Sequence, residues 1–107
     1  MPKEAYGGSN RMQLKKLNDP TIDQLFEAIL TLKTVEECYI FFDDLCTVNE
    51  IQSLAQRLEV ARLLRQGATY SQIERETGAS TATISRVKRC LNYGTEGYEM
   101  ALSRLGR

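Results

Sequence analysis

The chain contains no histidine. This removes the Ser-His-Asp triad, the Cys-His pair and the commonest general base. Carboxylates do not fill the gap. Glu36-Glu37 and Asp43-Asp44 are adjacent in sequence, and neighbours on a helix point in different directions, so neither pair converges. No enzyme activity and no catalytic residue are expected. Cysteine is scarce too: Cys38, Cys46 and Cys90 are an odd number without C-x-x-C spacing. That excludes a disulfide framework and, with histidine missing, a standard zinc site. All three are expected to be small buried hydrophobes, and neither metal nor cofactor is expected. No run of 18 apolar residues occurs and the first residues lack an apolar signal core. Membrane span and secretory signal are therefore absent from the reading, and the expected location is the cytoplasm.

What is present is a single-domain composition: 107 residues, 42% hydrophobic and 26% charged. A chain this short has a marginal core of its own, so a partner subunit would be welcome. The formal net charge is zero, but it is unevenly spread. Residues 1–18 carry four cations and one anion, residues 19–50 one cation and eight anions, and residues 51–107 nine cations and five anions. An acidic middle beside a basic C-terminal half suggests one face for nucleic acid and another held away from it.

The chain reads as all-α, with about six helices and no strand candidate. Residues 1–12, with a proline, a glycine pair and no periodicity, form the core of an expected flexible arm over residues 1–18; residues 19–107 are the expected domain. Asp19-Pro20 gives an N-cap followed by proline at the first helical position. Ile22, Leu25, Phe26, Ile29 and Leu30 make the stripe of that helix. Thr34 and Glu37 form a capping box for the next. There the apolar residues Val35, Cys38, Tyr39, Ile40, Phe41, Phe42 and Leu45 run nearly all the way round. A helix apolar on every side must be covered on every side, and association of two subunits is the simplest cover. Thr47 and Glu50 open a long helix with Ile51, Leu54, Leu58 and Ala61 at heptad-like spacing, ending near Gln66-Gly67. After Asn92-Tyr93-Gly94 breaks the chain, Thr95 is expected to cap a last helix containing Tyr98, Leu102 and Leu105.

Between those elements lies TYSQIERETGASTATISRVKRCL, residues 69–91. Thr69 caps a short helix whose third position is Gln72, and Ile73 is its main buried residue. Gly78 adopts positive φ at no steric cost and turns the chain. Ser80 then caps a second helix, where Ala82, Ile84, Val87 and Leu91 share the apolar duty and Thr81, Thr83, Ser85, Arg86, Lys88 and Arg89 face away. This is a helix-turn-helix, with duplex DNA as its default ligand. Small residues from Ser80 to Thr83 let the helix approach the floor of a major groove; Arg86, Lys88 and Arg89 supply phosphate or guanine contacts.

Together, LCTVNEIQSLAQRLEVARLLRQG and the segment after it resemble the Trp repressor superfamily, closest to the group called YerC/YecD-type TrpR-related proteins. The resemblance spans about Asp19 to Leu105 and is sharpest at Gly78-Ala79, Ala82-Thr83-Ile84 and Arg86. It implies an intertwined homodimer presenting two reading helices about one DNA turn, roughly 34 Å, apart. It places Thr81, Ala82, Thr83 and Ser85 against bases or phosphates, and Tyr70 and Ser71 where the preceding helix meets the DNA backbone. It also implies an effector pocket. Thr47, Arg57 and Arg86 match the family's tryptophan-binding residues, but a required glycine is Val87 here and a serine is Cys90. The added carbons overpack a tight pocket, so tryptophan is expected not to be the effector, and Val87 to fill the space instead. Arg57 and Arg86 are then expected to make phosphate contacts or surface ion pairs.

The function read from this is a homodimeric, sequence-specific transcriptional regulator, with repression the expected sign and no dependence on tryptophan. Two alternatives remain open at this point. One is a helical module that docks a protein through its acidic middle; the other is an architectural or replication-linked duplex binder indifferent to sequence, with a steep salt slope.

Overall fold

The computed structural model describes residues 12–107. Within them the chain is all-helical: α1 Gln13–Lys16, α2 Pro20–Leu30, α3 Val35–Leu45, α4 Val48–Arg65, α5 Tyr70–Thr77, α6 Thr81–Tyr93 and α7 Gly97–Leu105. The single turn α1 adds one element to the six expected. Most of the expected N-terminal arm lies outside the described residues; of its remainder, Gln13–Lys16 is that turn.

Side chains set the helix boundaries. The Asp19 carboxylate accepts from the Thr21 backbone N–H at 2.9 Å, with Pro20 at the first helical position. Thr47 and Glu50 satisfy each other's backbone donors at 3.1 and 2.8 Å, and Thr69 and Gln72 do the same at 3.2 and 2.8 Å. Each such cap is worth about 1 kcal/mol. At α3 only half the expected capping box forms. Thr34 accepts from Glu37 N–H, but the Glu37 carboxylate turns one residue further back, to Lys33 N–H. The cap expected from Thr95 does not form either. Glu96 takes the N-cap position of α7 in the left-handed region, φ 68°, with no side-chain cap. Asn92 and Tyr93 also stay helical, and the break waits for Gly94. A Cβ on Gly94 would stand 2.5 Å from the Cys90 carbonyl oxygen, so the chain needs glycine there for close approach.

The core sits in the C-terminal half. Val60, Ala61 and Leu63 of α4 meet Ile73 of α5, Ala79 of the turn, Ile84 and Val87 of α6 and Leu102 of α7. Fully buried aliphatic side chains of this size contribute about 1.5–3 kcal/mol each. The heptad-like stripe of α4 therefore serves two surfaces: Ala61 is in the core, whereas Leu54 and Leu58 are exposed. No residue of α1, α2 or α3 is buried. Leu30 at 83%, Val35 at 74%, Tyr39 at 71% and Ile40 at 62% exposure leave an apolar surface open along α2 and α3. Phe41 and Phe42 do contact each other edge to face, 5.3 Å between ring centres. The cysteines depart from their expected burial. Cys38 and Cys46 are half-buried, Cys90 is exposed, and all three are free thiols. Among the described residues no helix is long and apolar enough to cross a membrane.

Candidate nucleic-acid interface

Helices α5 and α6 form the expected helix-turn-helix, and several interactions fix the angle between them. Gly78 closes α5 with φ 70°, and its N–H donates to the Glu74 carbonyl. A Cβ there would meet nothing within 4 Å, so the need for glycine is conformational. Thr77 holds the turn from the inside: its hydroxyl donates to the Ile73 carbonyl at 2.7 Å and accepts from Ala79 N–H at 3.1 Å. Gln56 of α4 donates its side-chain amide to the Thr77 carbonyl at 3.1 Å, which anchors the turn to the core helix. Ile73, Ala79, Ile84 and Val87, all within 4% of full burial, complete the rigid unit from below.

The outer end of α6 carries small side chains. Ser80 accepts from Thr83 N–H at 3.2 Å and donates its hydroxyl to Thr83 Oγ1, also at 3.2 Å. Thr81, Ala82, Ser85, Arg86, Lys88, Arg89 and Cys90 are exposed. One exchange separates this from the expected faces: Ala82 points outward, while Thr83 is half-buried. The burial of Ile84 and Val87 sets the rotation of α6, and Ser80 caps it at Thr83 N–H. The outward surface at this end is therefore Thr81, Ala82 and Ser85.

Cations flank it. Two ion pairs form among the described residues, Arg62 with Glu59 at 2.7 Å within α4 and Arg65 with Glu99 at 2.9 Å between α4 and α7. Arg86, Lys88 and Arg89 take part in neither. Lys88 Nζ instead sits 5.7 Å from the centre of the Tyr70 ring, a cation–π distance that ties the start of α5 to the middle of α6. Tyr70 also packs against the core, and Ser71 beside it is exposed. The surface joins two helix starts, small hydroxyl or methyl side chains, and three cations without a carboxylate partner among the described residues.

The expected effector residues are Thr47, Arg57, Arg86, Val87 and Cys90. Val87 is 1% exposed and belongs to the core. Thr47 spends its hydroxyl oxygen on the Glu50 cap, and Arg57 and Arg86 are in neither ion pair. Cys90 lines a cleft of about 1040 Å³ with Asp19, Phe26, Arg89, Tyr93 and Tyr98, and none of the other four reaches it. Sequence reasoning missed Gln56, Thr77 and Glu74. A threonine just before a helix-ending glycine is a recognisable signal, because its hydroxyl back-bonds to the fourth preceding carbonyl. Nothing in the sequence marks the contacts of Gln56 or Glu74, which depend on tertiary placement.

The arrangement defines an all-α protein built on a helix-turn-helix. The family described as Trp repressor protein matches residues 20–106, and the chain belongs to that family. It is 73% identical over 94 residues to the uncharacterised protein YerC of Bacillus subtilis (strain 168), covering 88% of this chain and 90% of that one. It is similar to a crystal structure from Staphylococcus aureus described as a candidate Trp repressor. The TM-score is 0.85 at 63% identity, over 89% of this chain and 95% of that one. A TrpR-like protein from Eubacterium eligens ATCC 27750 gives a TM-score of 0.83 at 58% identity, over 86% and 95% of the two chains.

Proposed function

We propose that the protein is a sequence-specific, DNA-binding transcriptional regulator that acts as a homodimer and does not require tryptophan. The observation that carries this reading is the outer end of α6. Thr81, Ala82 and Ser85 are exposed and small, on a helix held by Gln56, Thr77 and Gly78. Short side chains let a helix reach base edges, where methyl groups meet thymine and hydroxyls meet amino or carbonyl groups. Arg86, Lys88 and Arg89 then lie at the flanks for phosphate contact, and Tyr70 and Ser71 present the start of α5 to the adjacent backbone.

Dimerisation follows from the uncovered helices. Phe26, Leu30, Val35, Tyr39, Ile40, Leu54 and Leu58 are all exposed in the single chain, and an apolar surface of that extent marks an interface. A second copy has the same need, so a two-fold arrangement satisfies both at once. Two reading helices about 34 Å apart would then address successive major grooves on one face of the duplex.

Independence from tryptophan rests on Val87. Its side chain occupies the core behind α6 at 1% exposure, where the family's pocket needs a glycine. The reading helix is held by packing and needs no ligand to position it. Ala82→Glu tests the DNA reading: a carboxylate at the groove-facing end should abolish duplex binding in an anisotropy titration while the helical circular dichroism is kept. Unchanged binding by this variant would remove α6 from the groove.

A further inference from the structure

Glu74 is an exposed carboxylate on α5, seven residues before Thr81 and across the turn from it. The Thr81 hydroxyl donates to Glu74 Oε1 at 2.5 Å. Glu74 is in neither of the ion pairs, which join Glu59 to Arg62 and Glu99 to Arg65. A carboxylate outside both ion pairs, placed at the corner of a helix pair that meets a polyanion, is unfavourable unless the nucleic acid offers it a donor.

From this contact we infer that Glu74 and Thr81 together determine the base preference at one position of each half-site, and that the base chosen is cytosine. The inference rests on the DNA-binding reading above. A hydroxyl has a single hydrogen, and Thr81 has spent it on Glu74; what remains on Thr81 is an acceptor oxygen and a methyl group. A carboxylate offers acceptors only. The pair therefore presents an edge without donors. In the major groove guanine shows two acceptors, which repel such an edge; thymine adds a methyl group that the Thr81 methyl can meet, but its O4 acceptor faces the carboxylate and repels it. Adenine shows an amino donor beside the N7 acceptor, which a carboxylate satisfies only in part. Cytosine shows its N4 amino group with no acceptor beside it, and is the best match. Glu74 is a specificity-determining residue by direct contact, and it also positions Thr81.

The test is selection of bound duplexes from a random pool by the full-length protein, Glu74→Gln and Thr81→Val. The native protein should enrich cytosine at one symmetry-related position of each half-site. Glu74→Gln keeps an acceptor for Thr81 but adds an amide donor, and that combination matches adenine N6 and N7. Its preference at the same position should move from cytosine to adenine, by about tenfold in the ratio of the two bases, with the rest of the motif unchanged. Thr81→Val keeps the shape and removes the hydroxyl, and should weaken the preference at that same position. An identical motif from the native protein and Glu74→Gln would overturn the inference while leaving DNA binding intact, as would changes at different positions in the two variants. No motif from the native protein at any salt would overturn the DNA-binding reading, and the inference with it.

Discussion

The Gln56 side-chain amide lies 3.1 Å from the Thr77 carbonyl oxygen, 21 residues away, and this contact couples the long core helix to the turn of the helix-turn-helix. Thr77 in turn binds both sides of that turn, through the Ile73 carbonyl and Ala79 N–H. Ala79 is 4% exposed, so its N–H has little access to water when Thr77 is lost. Thr77→Val should destabilise the protein by about 1–3 kcal/mol, the cost of an unsatisfied buried donor, and Gln56→Ala by about 1 kcal/mol. Denaturant unfolding at a fixed protomer concentration reads both, since the stability of the proposed dimer would depend on concentration. Equal stability of all three proteins would mean that these bonds do not set the turn.

The apolar surface of α2 and α3 predicts the effect of a charge placed within it. Ile40 is 62% exposed and Tyr39 71% exposed in the single chain. Neither supports the protomer core, so Ile40→Asp should leave that core intact and act on assembly alone. Sedimentation should give a native dimer of twice the 12.1 kDa chain and a variant shifted toward monomer. A variant that stayed dimeric at micromolar concentration would move the interface away from α3.

Val87 links core packing to the proposed independence from tryptophan. Val87→Gly removes a side chain that is 1% exposed from a helix interior, which should cost about 2–4 kcal/mol from the cavity and the glycine together. The same change opens the space that an indole ring would need against α6. Calorimetry should find an indole amino acid silent with the native protein and bound, weakly, by the variant. Silence from a folded variant would contradict the role assigned to Val87.

Carboxylates rather than histidine set the pH response. The Thr21 hydroxyl and then its N–H hold Asp19 below the ordinary carboxylate range. Thr47 N–H, followed by its hydroxyl, does the same for Glu50, and the Arg62 guanidinium does so for Glu59. Each pKa is lower folded than unfolded, so each contribution is present above the unfolded value of about 4 and is lost as the pH falls through the folded one. Thermal midpoints should therefore be flat between about pH 5.5 and 7, where only histidine has an ordinary side-chain pKa, and should fall as acidity increases below about pH 4.5. A titration step near pH 6.5 would contradict this.

Local chemistry made much of the fold legible from sequence. Asp19-Pro20, the Thr47 and Thr69 capping boxes, the Ser80 cap and the turn at Gly78 all formed where expected, because a cap needs only residues three apart. The departures are equally physical. Glu37 found Lys33 N–H within reach and left half a box. Ile84 and Val87 are the buried residues of α6 and set its rotation, which turns Ala82 out and leaves Thr83 half-buried beside them. Cys90, expected to be buried, lies on the exposed side of α6. Val60 and Leu63 were missed as core because the helix-long stripe through Leu54 and Leu58 reads as one face, whereas α4 divides its length between two surfaces. At the candidate interface, periodicity indicated which residues α6 offers; only the folded chain shows that Glu74 already holds one of them.

Selection of bound duplexes from a random pool by the purified protein at near-physiological salt, with no ligand added, tests DNA reading by a ligand-free dimer. A homodimeric, ligand-independent regulator should enrich a palindromic motif with half-sites about one helical turn apart, roughly 10 base pairs, over bulk DNA. A pool that emerges without any shared sequence, whatever the salt, would contradict that reading.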